Sequence, residues 1–253
     1  MLIKSARSFI ILFVILALTS LACGIDFGDE TPAPPIESVE PVQQPEEPPT
    51  QELEASPEPQ EPANQPFFKE EFEGDPTDWT YFVTKNKANA DDSNVAPFSD
   101  NGYFVFDIGK NLNVYATYDP YSYEDVRIDV SVDNRGHNNN NINLVCRYSD
   151  AGWYEVAIAN NGLYWIWVYD TNIENYSLLV NGGSNKIRQG KDVNQYTMTC
   201  NDNNISLSIN GTETKTFTDT KYGLGEGLIG VGLSSFDFVP IEVGFDWIEI
   251  SEP

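Results

Sequence analysis

Residues 125–133, Asp-Val-Arg-Ile-Asp-Val-Ser-Val-Asp, alternate aliphatic and polar side chains at every step. A period of two places Val126, Ile128, Val130 and Val132 on one face of a strand. Asp125, Arg127, Asp129, Ser131 and Asp133 take the other face. One side is thus core and the other solvent, the pattern of an antiparallel sheet. The alternation recurs from Phe67 to the C-terminus, interrupted by clusters of Gly, Asn, Asp and Pro. It predicts strands at 67–72, 80–83, 103–108, 113–118, 126–133, 142–148 and 153–159, then at 164–169, 196–200, 205–209, 215–218, 228–233 and 243–250. Between the strands at 205–209 and 215–218, Asn210-Gly211 is the signal of a type I′ hairpin turn. No segment of helical length carries a helical stripe. So many short strands rarely form one open sheet, so an all-β sandwich of two antiparallel sheets is expected over 67–253.

The chain ahead of this domain has two different compositions. In 1–22, Lys4 and Arg7 precede an apolar run that is too short to span a bilayer and ends in small residues, the layout of an export signal. Cys23 follows a small residue, and "TSLAC" resembles the bacterial lipobox, although Ser20 stands where Leu is usual. The resemblance implies lipidation of Cys23 and a membrane contact through that N-terminal anchor alone, the alternatives being an ordinary secreted protein or an uncleaved anchor. Residues 23–66 then hold eleven of the sixteen prolines and eleven Asp or Glu, with no Lys or Arg. This composition predicts a disordered, extended linker reaching at most roughly 130 Å. The protein is therefore expected at the bacterial cell surface or envelope.

The remaining 187 residues carry 28 acidic and 12 basic side chains, a net charge of −16. No basic stripe interrupts the negative surface. Nucleic acid and anionic headgroups both need Lys/Arg patches, so nucleic-acid binding is excluded.

Cys146 and Cys200 remain beyond the signal. Cys146 shares a strand face with Ile142 and Leu144, and Cys200 with Tyr196 and Met198, so both should point inward. In an exported domain the pair is expected to form a disulfide, the alternative being two buried thiols. A bridge closing so long a loop stabilises by about 4 kcal/mol on the chain-entropy argument. No Cys-x-x-Cys occurs, and the one histidine, His137, lies in the loop "RGHNNNN". No cofactor is implied. Asp246 and the loops "DPTD", "DDSN" and "DPYSYED" could offer oxygen ligands to a structural calcium ion, with solvated acidic loops as the default.

From Cys146 onward the chain reads "CRYSDAGWYEVAIANNGLYWI", then "NQYTMTC", "ISLSING", "GLIGVGL" and "VGFDWIEI". In order and spacing, Arg147, Tyr154, Gly162, Tyr164, Asn194, Cys200, Gly227, Gly230, Phe245 and Asp246 resemble a known family. It is that of concanavalin A-like jelly-roll domains of the 3-keto-disaccharide hydrolase type, once described as glycoside hydrolase family 16-like. The resemblance covers about residues 140–250. It implies a jelly-roll sandwich of the lectin/glucanase type and, for some members, hydrolase or lyase activity on oxidised disaccharides. Glu242 and Asp246 share a strand face, but i and i+4 lie about 13 Å apart. A retaining glycosidase needs its two carboxyls at about 5 Å. A pair assembled from different strands stays open, and catalytic residues are unassigned.

The aromatic segment "NGLYWIWVYD", 161–170, decides where a ligand could sit. A two-residue Asn161-Gly162 turn would pair Ile158 with Trp165 and bury both tryptophans. A three-residue Asn160-Asn161-Gly162 loop, with Gly in the left-handed position, would pair Ile158 with Tyr164. Trp165 and Trp167 would then share the outer face with Trp153 and Glu155, and strand parity adds Arg147. The longer loop gives the cleaner division of core from surface. Aromatic faces flanked by a few polar groups suit a glycan or polysaccharide. The alternative is that the segment "DTNIENYSLLVNGG" covers them as a secondary core. The expected function is thus a surface-anchored lipoprotein with a non-catalytic carbohydrate-binding domain. A saccharide hydrolase or lyase and a structural envelope protein are the other readings.

Overall fold

A computed structural model describes residues 65–253, which form fifteen strands joined by turns and loops. The export signal, Cys23 and the linker as far as residue 64 lie outside the described residues. Numbered in chain order, eight strands build one sheet. Its path is β13 (Thr212–Thr218), β12 (Asn204–Ile209), β11 (Val193–Asn201), β6 (Val126–Asn134), β15 (Ile241–Ser251), β4 (Tyr103–Ile108) and β3 (Phe98–Asp100). The short β1 (Phe68–Glu70) pairs with the end of β15. The second sheet runs β10 (Asn175–Gly183), β9 (Leu163–Asp170), β8 (Gly152–Ala159), β7 (Asn140–Ser149), β14 (Gly227–Ser235), β5 (Leu112–Tyr123) and β2 (Trp79–Lys85). The pairings are antiparallel throughout, so the architecture is the expected two-sheet sandwich.

The core lies between the sheets. Val126, Ile128, Val130 and Val132 of β6 are buried there as the alternation requires, while Arg127 faces out and pairs with Asp129. Leu144, Tyr154, Val156, Tyr164, Ile166 and Val168 fill the inner face of the opposite sheet. Cys146 of β7 and Cys200 of β11 form a disulfide from one sheet to the other. Such a bridge fits an oxidising, extracytoplasmic compartment. Asn210 and Gly211 both have positive φ between the paired Ile209 and Thr212, the backbone of a two-residue type I′ turn.

Two strands exceed the expectation. The three-residue β3 is too short to show a period. The edge strand β10 has a bulge between Leu178 and Val180 that destroys its alternation. Part of the segment expected as a covering loop is therefore the margin of the second sheet.

Candidate functional site

The β8–β9 connection has the three-residue form. Ile158 pairs with Tyr164 and Val156 with Ile166, leaving Asn160, Asn161 and Gly162 as the loop. Gly162 has φ +94° and its N–H donates to the Ala159 carbonyl, so the left-handed residue is the one that lacks a Cβ. This register sends Tyr164, Ile166 and Val168 into the core and turns Trp165, Trp167 and Tyr169 to the outer face. Trp167 stands opposite Glu155, and Trp165 opposite Ala157.

Two adjoining recesses on this face, of about 440 and 230 Å³, share Asn141, Trp167 and Phe236. Together they make one groove across β5, β14, β7, β8 and β9. Trp165 and Trp167 line it on the β9 side, and Phe236, just beyond β14, lines both recesses. Asn138, Asn139, Asn141 and Asn161 supply amides at one end, and Asn86, Asn113 and Ser234 polar groups at the other. Several of these groups are held in place by protein bonds. The Asn86 amide donates to Asn113 at 2.9 Å, and the Phe238 N–H donates to Asn139 Oδ1 at 3.3 Å.

Glu155 sits in the wall of the smaller recess and is almost fully buried. Its Oε2 accepts from the Tyr115 hydroxyl at 2.9 Å and from Trp153 Nε1 at 3.3 Å, and the Tyr176 hydroxyl lies 2.9 Å from that of Tyr115. Burial disfavours the charged carboxylate and pushes its pKa up to about 7. Hydrogen bonds from Tyr115, Trp153 and Tyr176 offset part of that rise. Burial likewise pushes the Tyr115 and Tyr176 hydroxyls well above the ordinary phenol value, aided by the neighbouring Glu155 charge. Tyr115 reaches Glu155 across Gly232, where a Cβ would come within 2.7 Å of the tyrosine ring.

Trp153 is buried rather than presented to solvent. It stacks on Tyr169 at 4.1 Å between ring centres and packs edge-on against Tyr176. The face is therefore divided. Phe82, Tyr115, Tyr148, Trp153, Tyr169 and Tyr176 form a packed aromatic ridge, and Trp165 and Trp167 remain partly open. The expected covering segment contributes Tyr176 to that ridge.

Arg147 is not part of this site. Strand parity would put it beside Glu155, but a bulge between Cys146 and Ser149 resets the parity and gives Arg147 a φ of +56°. Its buried guanidinium donates to the carbonyls of Glu124, Leu224 and Asp202, and to Asp125 Oδ1 at 3.2 Å. It ties three turns together at one end of the sandwich. Asp246 and the acidic loops do not converge either. Among the described residues, no three His, Cys, Asp or Glu side chains cluster as metal ligands.

Phe236, Asn138, Asn141, Tyr115, Tyr176 and Ser234 join the site without having been singled out in the sequence. Most stand in loops or on strands whose partners are distant in the chain. The run of asparagines after His137 was the visible signal, and it read only as a loop.

No family model matches the chain, and no curated protein matches it in sequence. Solved structures do resemble it. The β-glucanase of Bacillus licheniformis is 14% identical with a TM-score of 0.54, over 75% of this chain and 99% of that one. A glycoside hydrolase family 16 endo-glucanase from Bacteroides ovatus is also 14% identical, with a TM-score of 0.53 over 73% and 99%. A β-1,3-glucanase from Mycobacterium marinum is 10% identical, with a TM-score of 0.52 over 74% and 99%. Likeness at such identities is one of fold: the domain is a concanavalin A-like sandwich of the kind seen in family 16 glycoside hydrolases.

Proposed function

We propose that the domain binds glycan non-catalytically in the groove between Trp165/Trp167 and Phe236. The observation that carries this reading is the lining itself: open aromatic faces flanked by amides, with Glu155 as the one carboxylate among the described residues around both recesses. Aromatic rings stack on the C–H faces of a sugar while amides exchange hydrogen bonds with its hydroxyls. Retaining and inverting glycosidases both rely on a pair of carboxyls, at about 5–5.5 Å or about 6.5–9.5 Å. The fold is shared with endo-glucanases, which supports a carbohydrate ligand in general terms. The N-terminal sequence supports display of the domain on a linker anchored by a lipid at Cys23.

The test is affinity electrophoresis against a polysaccharide panel, with wild type and a Trp165→Ala/Trp167→Ala double variant. Retardation of the wild type that the variant loses is the expected result. Equal retardation of both proteins would remove the tryptophans from the site.

A second reading, saccharide hydrolysis or elimination, draws on Glu155 alone. A buried carboxyl held near half-protonation at neutral pH is suited to proton transfer. Release of reducing sugar by the wild type, abolished in Glu155→Gln, would favour it over simple binding.

A further inference from the structure

We infer that the groove selects uncharged glycan and discriminates against chains bearing uronate or sulfate groups. The inference rests on the binding reading and adds the chemical class of its ligand. Among the described residues, no Lys, Arg or His lines either recess; their polar lining is amide and hydroxyl, with the single carboxyl of Glu155. Primary amides offer donors and acceptors together, which matches a hydroxyl and does not neutralise an anion. Anionic sugars are bound by cations, above all by the bidentate guanidinium.

The cations nearest in sequence to the lining are committed or lie outside it. Lys87, next to Asn86, is bonded to both carboxylate oxygens of Asp237 at 2.8 and 2.9 Å. His137 precedes Asn138 but is turned out to solvent and is absent from the lining. The buried Arg147 is consumed by the turns it ties. An acid group entering the smaller recess would meet the buried carboxyl of Glu155, with no cation among the described lining residues to compensate it. The whole domain, at a net −16, also repels an approaching polyanion. Each feature acts in the same direction.

The test uses one polymer in two charge states: a neutral β-glucan retained by the wild type, and the same glucan oxidised at C6 to the uronate. Affinities for both are measured by isothermal titration at low salt. The oxidised chain is expected to bind at least tenfold more weakly. The variant Asn138→Lys, which adds a cation at an exposed wall position, is expected to cut that ratio to about threefold or less. Equal or tighter binding of the oxidised chain, lost in Trp165→Ala/Trp167→Ala, would overturn the selectivity and keep the binding reading. A ratio unmoved by Asn138→Lys would also overturn it, since the missing cation would not be the cause. Failure of any neutral polymer to bind would sink both.

Discussion

Replacing Glu155 by Gln should make the domain more stable at neutral pH relative to wild type than it does at acid pH. The carboxyl has an ordinary pKa of 4.5 and is pushed to about 7 in the folded chain. Below pH 4.5 both folded and unfolded chains hold the proton, and the group contributes nothing to pH dependence. As pH rises from 4.5 to 7 the unfolded chain releases its proton while the folded chain keeps it, so stability falls through that window. Above 7 the full penalty is present. A difference of about 2.5 units at 1.36 kcal/mol each gives roughly 3 kcal/mol. For a domain of this size that corresponds to about 6–14 °C in Tm. Glutamine keeps the shape without the charge. Any constant change in its bonds to Tyr115 and Trp153 cancels when two pH values are compared. Calorimetric melts of both proteins at pH 4 and pH 8 should therefore show the Tm difference, variant minus wild type, growing by about 10 °C. A difference that stays constant would mean that Glu155 titrates normally, and the buried-carboxyl account of the groove would be wrong.

Two further outcomes follow from the frame of the sandwich. Cys146→Ser/Cys200→Ser should lose about 4 kcal/mol of stability, read from urea unfolding, and reduction of the wild type should reproduce the loss. Arg147→Ala strands three carbonyls and a carboxylate and should cost about 3 kcal/mol. The folded fraction should still be retarded by glycan as wild type is, and loss of binding without loss of stability would return Arg147 to the groove.

The sandwich was legible because burial on one face of a strand writes itself into every second residue. Thirteen strands left that mark, and the inward parity of Cys146 and Cys200 gave the bridge. The turn length at Asn160 could be weighed because each register implied a different division of the aromatics, and the structure has the longer loop. Parity failed at Arg147, where one extra residue in the bulge reverses every inference about facing. Edge strand β10 was hidden for the same reason at Leu178. Phe236 and the Asn138–Asn141 wall were out of reach because loop and strand-end residues show no period. Phe236 is brought to the wall by the pairing of Ser235 with Asn140, far apart in the chain, and the wall to Trp165 by the pairings of β7 with β8 and of β8 with β9.

The placement of the disulfide has a mechanical consequence. Residues 146–200, which the bridge closes, contain all of β8, β9 and β10, and with them Glu155, Trp165 and Trp167. A load applied between the two ends of the domain would act on the three-residue pairing of β1 with β15. Under such end-to-end tension the covalent path through the bridge bypasses the enclosed loop, which is not extended. In single-molecule stretching, the contour released on full unfolding should fall short of the chain length by about 54 residues, and reduction should restore that length. The strands that carry the tryptophans are the part of the domain that backbone tension cannot draw out.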